Sequence, residues 1–318
     1  MLRRSLVLAL LSLVLAVPAA AQSGRPVRII NPYPPGGSVD VVARVLAQAM
    51  TAASGANVIV DNRPGASGNI ATELVARAAG DGTTLLAQTL PFVVNPSLFR
   101  TVPYDPVRDF QPVSLLGSSP SILVVHPSVP VKSLKELLDV ARAQPGKLNY
   151  SSAGNGTNLH IPAELMKTLA KVDVVHVPYQ GGGPAMTAVL SGEVQLSFLN
   201  IVPAVPQIQA NAIRPIALTG AARSSSLPDV PTMAEAGLPG YEFSTWWAIF
   251  APASTPPATV AALNQQIVQA MRSREVTERM SKEGAEVIAG SPEQLGGFIR
   301  SEVTKWAEVI KATGIKVD

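Results

Sequence analysis

The sequence predicts an α/β chain in which helices cover both faces of a sheet, and three observations lead there. Short apolar runs alternate with segments of helical period, the strand-to-helix connections are repeatedly rich in Gly, Pro, Ser and Asn, and the chain is long enough for two domains with separate cores. The repeated strand-helix-strand rhythm implies parallel pairing.

The first residues concern address rather than fold. Arg3 and Arg4 precede an apolar run from Leu6 to Val17, and Ala19, Ala20 and Ala21 form a small-residue cleavage site before Gln22. Residues 1–21 therefore read as a signal peptide, and the expected location is the periplasm. No later stretch reaches the roughly 20 apolar residues of a membrane span. With no cysteine in the chain, a lipid-anchoring thiol, disulfides and Cys metal sites are excluded. Removing residues 1–21 takes away two arginines and no acid, so the formal charge falls from +3 to +1. The remaining basic residues are scattered and only 5% of residues are aromatic, so neither a phosphate-tracking stripe nor a base-stacking platform is present. Nucleic acid is not an expected partner.

In chain order, Val27 to Ile30 reads as a buried strand. It enters the loop Tyr33-Pro34-Pro35-Gly36-Gly37-Ser38-Val39-Asp40, which opens a helix carrying Val42, Ala43, Leu46 and Met50. Gly36 and Gly37 permit a sharp bend, Ser38 reads as the N-cap, and Asp40 falls in the first turn. A helix N-terminus reached in this way presents free N–H groups and a positive dipole end, which suit an anion. Strand Asn57 to Val60 then leads into Asp61-Asn62-Arg63-Pro64-Gly65-Ala66-Ser67-Gly68 and a helix through Ile70 and Leu74, followed by strand Thr84 to Thr89. Ile122 to Val125 is a further strand and Leu134 to Arg142 a helix.

A second Gly-rich turn, Ser151 to Asn158, follows the strand Leu148 to Ser151, and Thr157 or Asn158 reads as the cap of the next helix. A third, Pro178-Tyr179-Gln180-Gly181-Gly182-Gly183-Pro184, follows the strand Val172 to Val177. A fourth strand, Val194 to Phe198, ends at Leu199-Asn200. Ligands of open α/β sheets bind outside the carboxyl ends of the strands, so the repeated turns point to a small anion held by backbone and hydroxyl donors. Near the C-terminus, Ser291-Pro292-Glu293-Gln294 reads as N-cap, N1 Pro and N3 Gln of a final helix.

Pro34-Pro35-Gly36-Gly37 with Asp40, Asn62-Arg63-Pro64-Gly65-Ala66, Tyr104-Asp105 with Asp109-Phe110, the Ser152-to-His160 turn, Pro178-Tyr179 with Gly181, and Leu227-Pro228-Asp229-Val230-Pro231-Thr232 occur in this order. In these motifs the chain resembles the periplasmic receptors of tripartite tricarboxylate transporters, the Bug family, over essentially its whole mature length. The resemblance implies a type II periplasmic binding protein: two Rossmann-like α/β domains, a ligand cleft between them and a two-strand hinge. It implies crossings near Ile122 and Trp247, giving domain 1 as 22–122 plus 248–318 and domain 2 as 123–247. It also implies a small carboxylate ligand, the membrane subunits of the transporter as partners, no cofactor or metal, and a monomer.

By the same resemblance, the first loop and the Ser151-to-His160 turn clamp a ligand carboxylate from opposite domains. The implied ligand-binding residues are Ser38 with the N–H groups of Gly37 and Val39 on one side, and Ser152, Ala153, Asn155, Thr157 and His160 on the other. Asn95, Tyr179 and Asn200 line the remainder, while Tyr33 and Asp40 either touch ligand or brace the loop. The sequence departs from many relatives in carrying Ala188 and Leu199 where they carry Asp, so the cleft is expected to lack an acid for an amine. A di- or tricarboxylate or an aromatic carboxylate is then favoured over an amino acid.

Other classes fit less well. The sequence holds three histidines, His126, His160 and His176, and has no H-E-x-x-H, G-x-S-x-G or Walker A spacing. His126 and His176, on apolar strands, read as structural. His160 near Ser152 suggests a serine hydrolase, yet no elbow presents that serine. A ligand-sensing subunit of a membrane signalling partner would use the same closed form, and sequence does not separate it from a transport receptor.

Overall fold

The computed structural model describes residues 25–282 and 284–313; the signal-peptide reading of residues 1–21 lies outside the described residues. The first half of the sheet is built by β1 (Val27–Asn31), α1 (Ser38–Ser54), β2 (Val58–Asn62), α2 (Asn69–Ala76), β3 (Thr84–Gln88) and α3 (Pro91–Leu98). A 16-residue strand, β4 (Phe110–Val125), then leaves this half and enters the next. There follow α4 (Leu134–Ala143), β5 (Asn149–Ser152), α5 (Ile161–Ala170), β6 (Val175–Pro178), α6 (Gly182–Leu190), β7 (Leu196–Asn200), α7 (Ile201–Gln209) and β8 (Arg214–Leu218). The chain returns along β9 (Ser244–Pro252) and closes with α8 (Pro257–Met271), α9 (Arg274–Lys282), β10 (Glu286–Val287) and α10 (Pro292–Thr313).

The strands lie in the order β2-β1-β3-β9-β4-β7-β5-β6, with β8 and β10 also paired to β4. Pairing is parallel within β2-β1-β3 and within β7-β5-β6, but antiparallel wherever β4 or β9 takes part. The expected parallel sheet is thus two parallel halves joined through an antiparallel centre. Phe110 to Pro120 of β4 pairs with β9, and Ser121 to Val125 pairs with β7, so one strand serves both halves. This is the two-domain architecture of a type II periplasmic binding protein.

Only the last four residues of β4 read as strand in the sequence, because Pro112, Gly117 and Pro120 break the apolar pattern. The register against β9 shifts at Pro112/Ser114 and at Leu115/Gly117, the irregularity those residues allow. Strand bounds elsewhere differ by a few residues: β6 runs from Val175 to Pro178, and β7 from Leu196 to Asn200, which is itself the N-cap residue of the next helix.

Alternation along the strands sends Ile30, Leu86 and Phe250 into a core on one face and Ile29, Leu85 and Ile249 into a core on the other. The final helix starts as the sequence implies. The Ser291 hydroxyl accepts the Gln294 N–H (3.3 Å), and the Gln294 side chain accepts the Ser291 N–H (2.8 Å). This seats Leu295, Ile299 and Trp306 in the core, and the buried Glu302 carboxylate accepts the indole N–H of Trp246 (3.2 Å) and of Trp306 (2.9 Å). Among the described residues no helix is long and apolar enough to cross a membrane.

Gly117 lies where β4 carries both β9 and β10, and a Cβ there would come within 2.3 Å of the Glu286 carbonyl oxygen. Because that oxygen belongs to the backbone, β10 must move. Gly117→Ala is expected to cost about 1–3 kcal/mol, the usual penalty for overpacking. Urea denaturation of the two proteins, with unchanged slope and a lower midpoint, checks it.

Candidate functional site

The carboxyl ends of β1, β2, β5 and β6 deliver four loops to one place, and the loops enclose a cavity of about 280 Å³. One half supplies Pro32 to Pro34 and Pro64 to Gly68; the other supplies Ala153, Gly154 and Pro178 to Gly181. None of these residues is charged. A larger open groove of about 610 Å³ lies between β4, β10 and the segment 220–225, away from the loops that the sequence singles out.

Beside the cavity two helix N-termini meet. The capping residue of α1 is Gly37, extended at φ −77° and ψ 167°, and that of α6 is Gly181, at φ +117°. A Cβ on Gly181 would lie 3.0 Å from Pro34, one on Gly182 would lie 3.9 Å from the Gly37 Cα, and one on Gly183 would lie 3.9 Å from the Pro35 carbonyl oxygen. The two loops thus approach closely across the cleft: a Cβ fits at Gly182 and Gly183, whereas at Gly181 it would crowd the Pro34 ring on a backbone of positive φ, which together favour glycine. Each N-terminus exposes first-turn N–H groups that have no partner within its own helix. Their positive dipole ends repel one another unless negative charge sits between them.

Asp40 holds the first of these loops in shape. Its carboxylate accepts from the Gly36 N–H (3.1 Å), Asn31 Nδ2 (3.3 Å), Asn62 Nδ2 (2.8 Å) and the Arg44 fork (2.9 and 3.0 Å). Burial alone would raise its pKa; hydrogen bonds from Arg44, Asn62 and Gly36 outweigh that and hold it below the usual carboxylate range. Asn62 Nδ2 also donates to the Tyr33 carbonyl (2.9 Å), tying β2 to the same loop. The Ser38 hydroxyl is not the cap expected from sequence: Ser38 is the first helical residue, buried, and its Oγ accepts the Trp247 indole N–H (3.2 Å) from β9.

The turn Ala153 to His160 is likewise braced from within. Ser152 Oγ contacts His176 Nε2 at 2.5 Å and the Gly154 N–H at 3.1 Å, while Thr157 Oγ1 donates to the Gly154 carbonyl (2.7 Å). The helix cap expected at Thr157 or Asn158 falls at His160, which makes no side-chain cap; its Nδ1 instead accepts the Gly156 N–H (3.1 Å). The serine's histidine is thus His176, on the neighbouring β6, rather than His160. The two imidazole rings lie 4.3 Å apart. Burial lowers the pKa of His160 to about 4 and that of His176 to about 3, with nearby Lys167 adding to the first and His160 to the second.

Of the residues implied by sequence, Tyr33, Ala153 and Tyr179 line the cavity. Among the described residues the buried Tyr33 hydroxyl has no hydrogen-bond partner, whereas the Tyr179 hydroxyl donates to Glu193 (2.8 Å). Gly37, Ser38, Val39 and Asp40 form the adjoining turn of α1. Asn95, on α3, donates to the Ser67 carbonyl (3.1 Å) and to Asn69 Oδ1 (2.7 Å), and Asn155 contributes a carbonyl that accepts from Ser67 Oγ (3.0 Å). Asn200, the last residue of β7, accepts from Asn158 and from Thr245 Oγ1 (3.2 Å) of β9. Ala188 and Leu199 are buried in the core and do not line the cavity. The absence of an acid there belongs to the lining residues themselves. Sequence reasoning passed over Ser67, Gln180 and Gly181 as site residues, although each stands in a Gly-rich loop at a strand end.

The family model for the tripartite tricarboxylate transporter family receptor, TctC, matches residues 42–315. The chain belongs to this receptor family. The receptor is 37% identical to protein BugT of Bordetella pertussis over 307 residues, covering 95% of this chain and 94% of that protein. Among solved structures it resembles Rpa4515 of R. palustris, determined with adipate, at 35% identity and a TM-score of 0.89, covering 92% of this chain and 99% of the other. MatC of Rhodopseudomonas palustris, determined with bound malate, gives 33% identity and a TM-score of 0.86 over 90% and 99% of the two chains.

Two outcomes are expected of the receptor's loops. Asp40→Ala strands Asn31, the Gly36 N–H and Asn62 without their acceptor and should lower stability by about 2–4 kcal/mol in equilibrium unfolding. Acid should also weaken the fold. His160 has a folded-state pKa below its ordinary 6.5, so its contribution is complete above pH 6.5, is lost as pH falls toward about 4, and declines no further below that. At pH 5 the loss from His160 is on the order of 2 kcal/mol. Urea midpoints at pH 7 and pH 5 should differ less in His160→Asn than in the parent.

Proposed function

We propose that this receptor captures a small carboxylate in the periplasm and presents it, cleft closed, to the membrane subunits of a tripartite tricarboxylate transporter. The observation that carries the reading is the convergence of the α1 and α6 N-termini beside a cavity whose lining has no charged side chain. A carboxylate there would be held by fixed backbone donors and two dipole ends, at little ordering cost. The relatives determined with adipate and with malate support a dicarboxylate, and about 280 Å³ suits a molecule of that size.

In this reading the Gly37 and Val39 N–H groups take the carboxylate, with Tyr33, Ala153 and Tyr179 around it. Ser38, Asp40, Ser152, Asn155, Thr157, His160, Asn95 and Asn200 hold the loops that present those donors. The two bodies that close are 22–122 with 248–318, and 123–247, turning about β4 and β9.

A thermal-shift screen of residues 22–318, unfolded and refolded to strip bound ligand, tests this with adipate, malate, citrate, benzoate, aspartate and glutamate. At 100 times the dissociation constant a true ligand stabilises by about 2.7 kcal/mol. Stabilisation by one carboxylate class and not by the amino acids is expected. Stabilisation by aspartate or glutamate alone would overturn the assignment.

A further inference from the structure

We propose that Ser67 is the latch of the cleft: it holds the two halves together when they close, a role that rests on reading the cleft as a ligand site. Ser67 lies in the loop between β2 and α2, and four consecutive residues of that loop have positive φ. These are Gly65 (+141°), Ala66 (+47°), Ser67 (+53°) and Gly68 (+90°). Two of the four carry side chains, for which this region is disfavoured. A loop keeps such a conformation when its surroundings hold it there.

What holds it comes from both halves. Asn95 Nδ2 donates to the Ser67 carbonyl (3.1 Å) and to Asn69 Oδ1 (2.7 Å), fixing the loop to α3. Across the cleft, Ser67 Oγ donates to the Asn155 carbonyl (3.0 Å), in the turn between β5 and α5. The neighbouring contact is equally close: a Cβ on Gly156 would stand 2.7 Å from Leu98 Cδ1 and 3.1 Å from Asn95 Oδ1. Asn95 is 1% exposed; its amide donates to the Ser67 carbonyl and to Asn69 at the start of α2, while its Oδ1 has no hydrogen-bond partner among the described residues. The Ser67 hydroxyl is thus a directional tie between two loops that share one cavity.

Hinge opening would draw Ser67 Oγ away from Asn155 and leave the left-handed backbone of Ala66 and Ser67 held from one side only. The latch therefore biases the equilibrium toward closure before ligand contributes, and its removal shifts the ligand-free protein toward the open form. It needs no contact between Ser67 and the ligand. The residue is a positioning residue for closure.

The test exploits the absence of native cysteine. Spin labels at Leu74→Cys on α2 and Leu169→Cys on α5, both 41% exposed, report the distance between the halves, without ligand and with adipate or malate. The parent is expected to populate a short distance that Ser67→Ala and Ser67→Gly each reduce roughly three- to tenfold, the range for one lost hydrogen bond. Each variant should still unfold in one cooperative thermal transition, which shows that it is folded. Ser67→Gly relieves the strain as well as removing the hydroxyl, so it guards against a folding defect in the alanine variant. A distance distribution unaltered by both substitutions overturns the latch. If neither carboxylate changes the parent's distribution, the carboxylate reading fails, and the latch is judged on the ligand-free samples.

Discussion

Two positive helix ends held against each other are the constraint on which the site depends. α1 and α6 come from different halves of the sheet and their N-terminal residues approach closely, so that a Cβ on Gly181 would crowd the Pro34 ring. Nothing in the helices themselves favours that meeting, because like ends of two dipoles repel. The loops must therefore impose it, and the dense hydrogen bonding inside them is the means. Asp40 gathers Gly36, Asn31, Asn62 and Arg44 around one carboxylate, while Ser152, Thr157 and His160 tie down the opposite turn.

This explains a division of labour that residue types alone do not suggest. Hydroxyls and imidazoles near an anion site invite the reading that they bind the anion. Here the Ser38 hydroxyl accepts from Trp247, Ser152 meets His176, and Thr157 donates to Gly154. Their work is to hold backbone N–H groups in place. A neutral lining has a further effect in the proposed carboxylate reading: with no lysine or arginine among the lining residues, charge recognition would rest on backbone dipoles that keep their sign at any pH and need no side-chain ordering. The buried histidines share this independence, since burial keeps both neutral well below the ordinary range for imidazole.

Much of this was legible from residues in sequence. The loops at Gly36–Gly37, Gly65–Gly68, Gly154–Gly156 and Gly181–Gly183 each follow a short apolar run, and all sit at carboxyl ends of strands in the structure; the Ser291 capping box also formed as spaced. What stayed hidden depended on long-range pairing. The N-cap of α1 fell on Gly37 because Ser38 was drawn to a tryptophan 209 positions later, and Ser152 met His176 because β5 and β6 are neighbours in register, Tyr150 beside His176. The antiparallel centre was invisible because β4 carries Pro112, Gly117 and Pro120, residues that mark turns in a local reading. In the fold they allow the register shifts of a strand that belongs to two half-sheets.

That shared strand and its partner also connect the hinge to the site. β9 carries Thr245 and Trp247 on one face, separated by the period of two that places alternate residues together. Thr245 Oγ1 donates to Asn200 at the start of α7, in the second half, and Trp247 donates to Ser38 at the start of α1, in the first. One strand thus reaches the opening residue of a helix on each side of the cleft, through buried hydrogen bonds of 3.2 Å each. A twist between β9 and β4 cannot leave both grips undisturbed, because their anchors move with opposite halves. The geometry of the two converging loops is therefore set partly at the hinge, and the residues that shape the site include some that stand behind it.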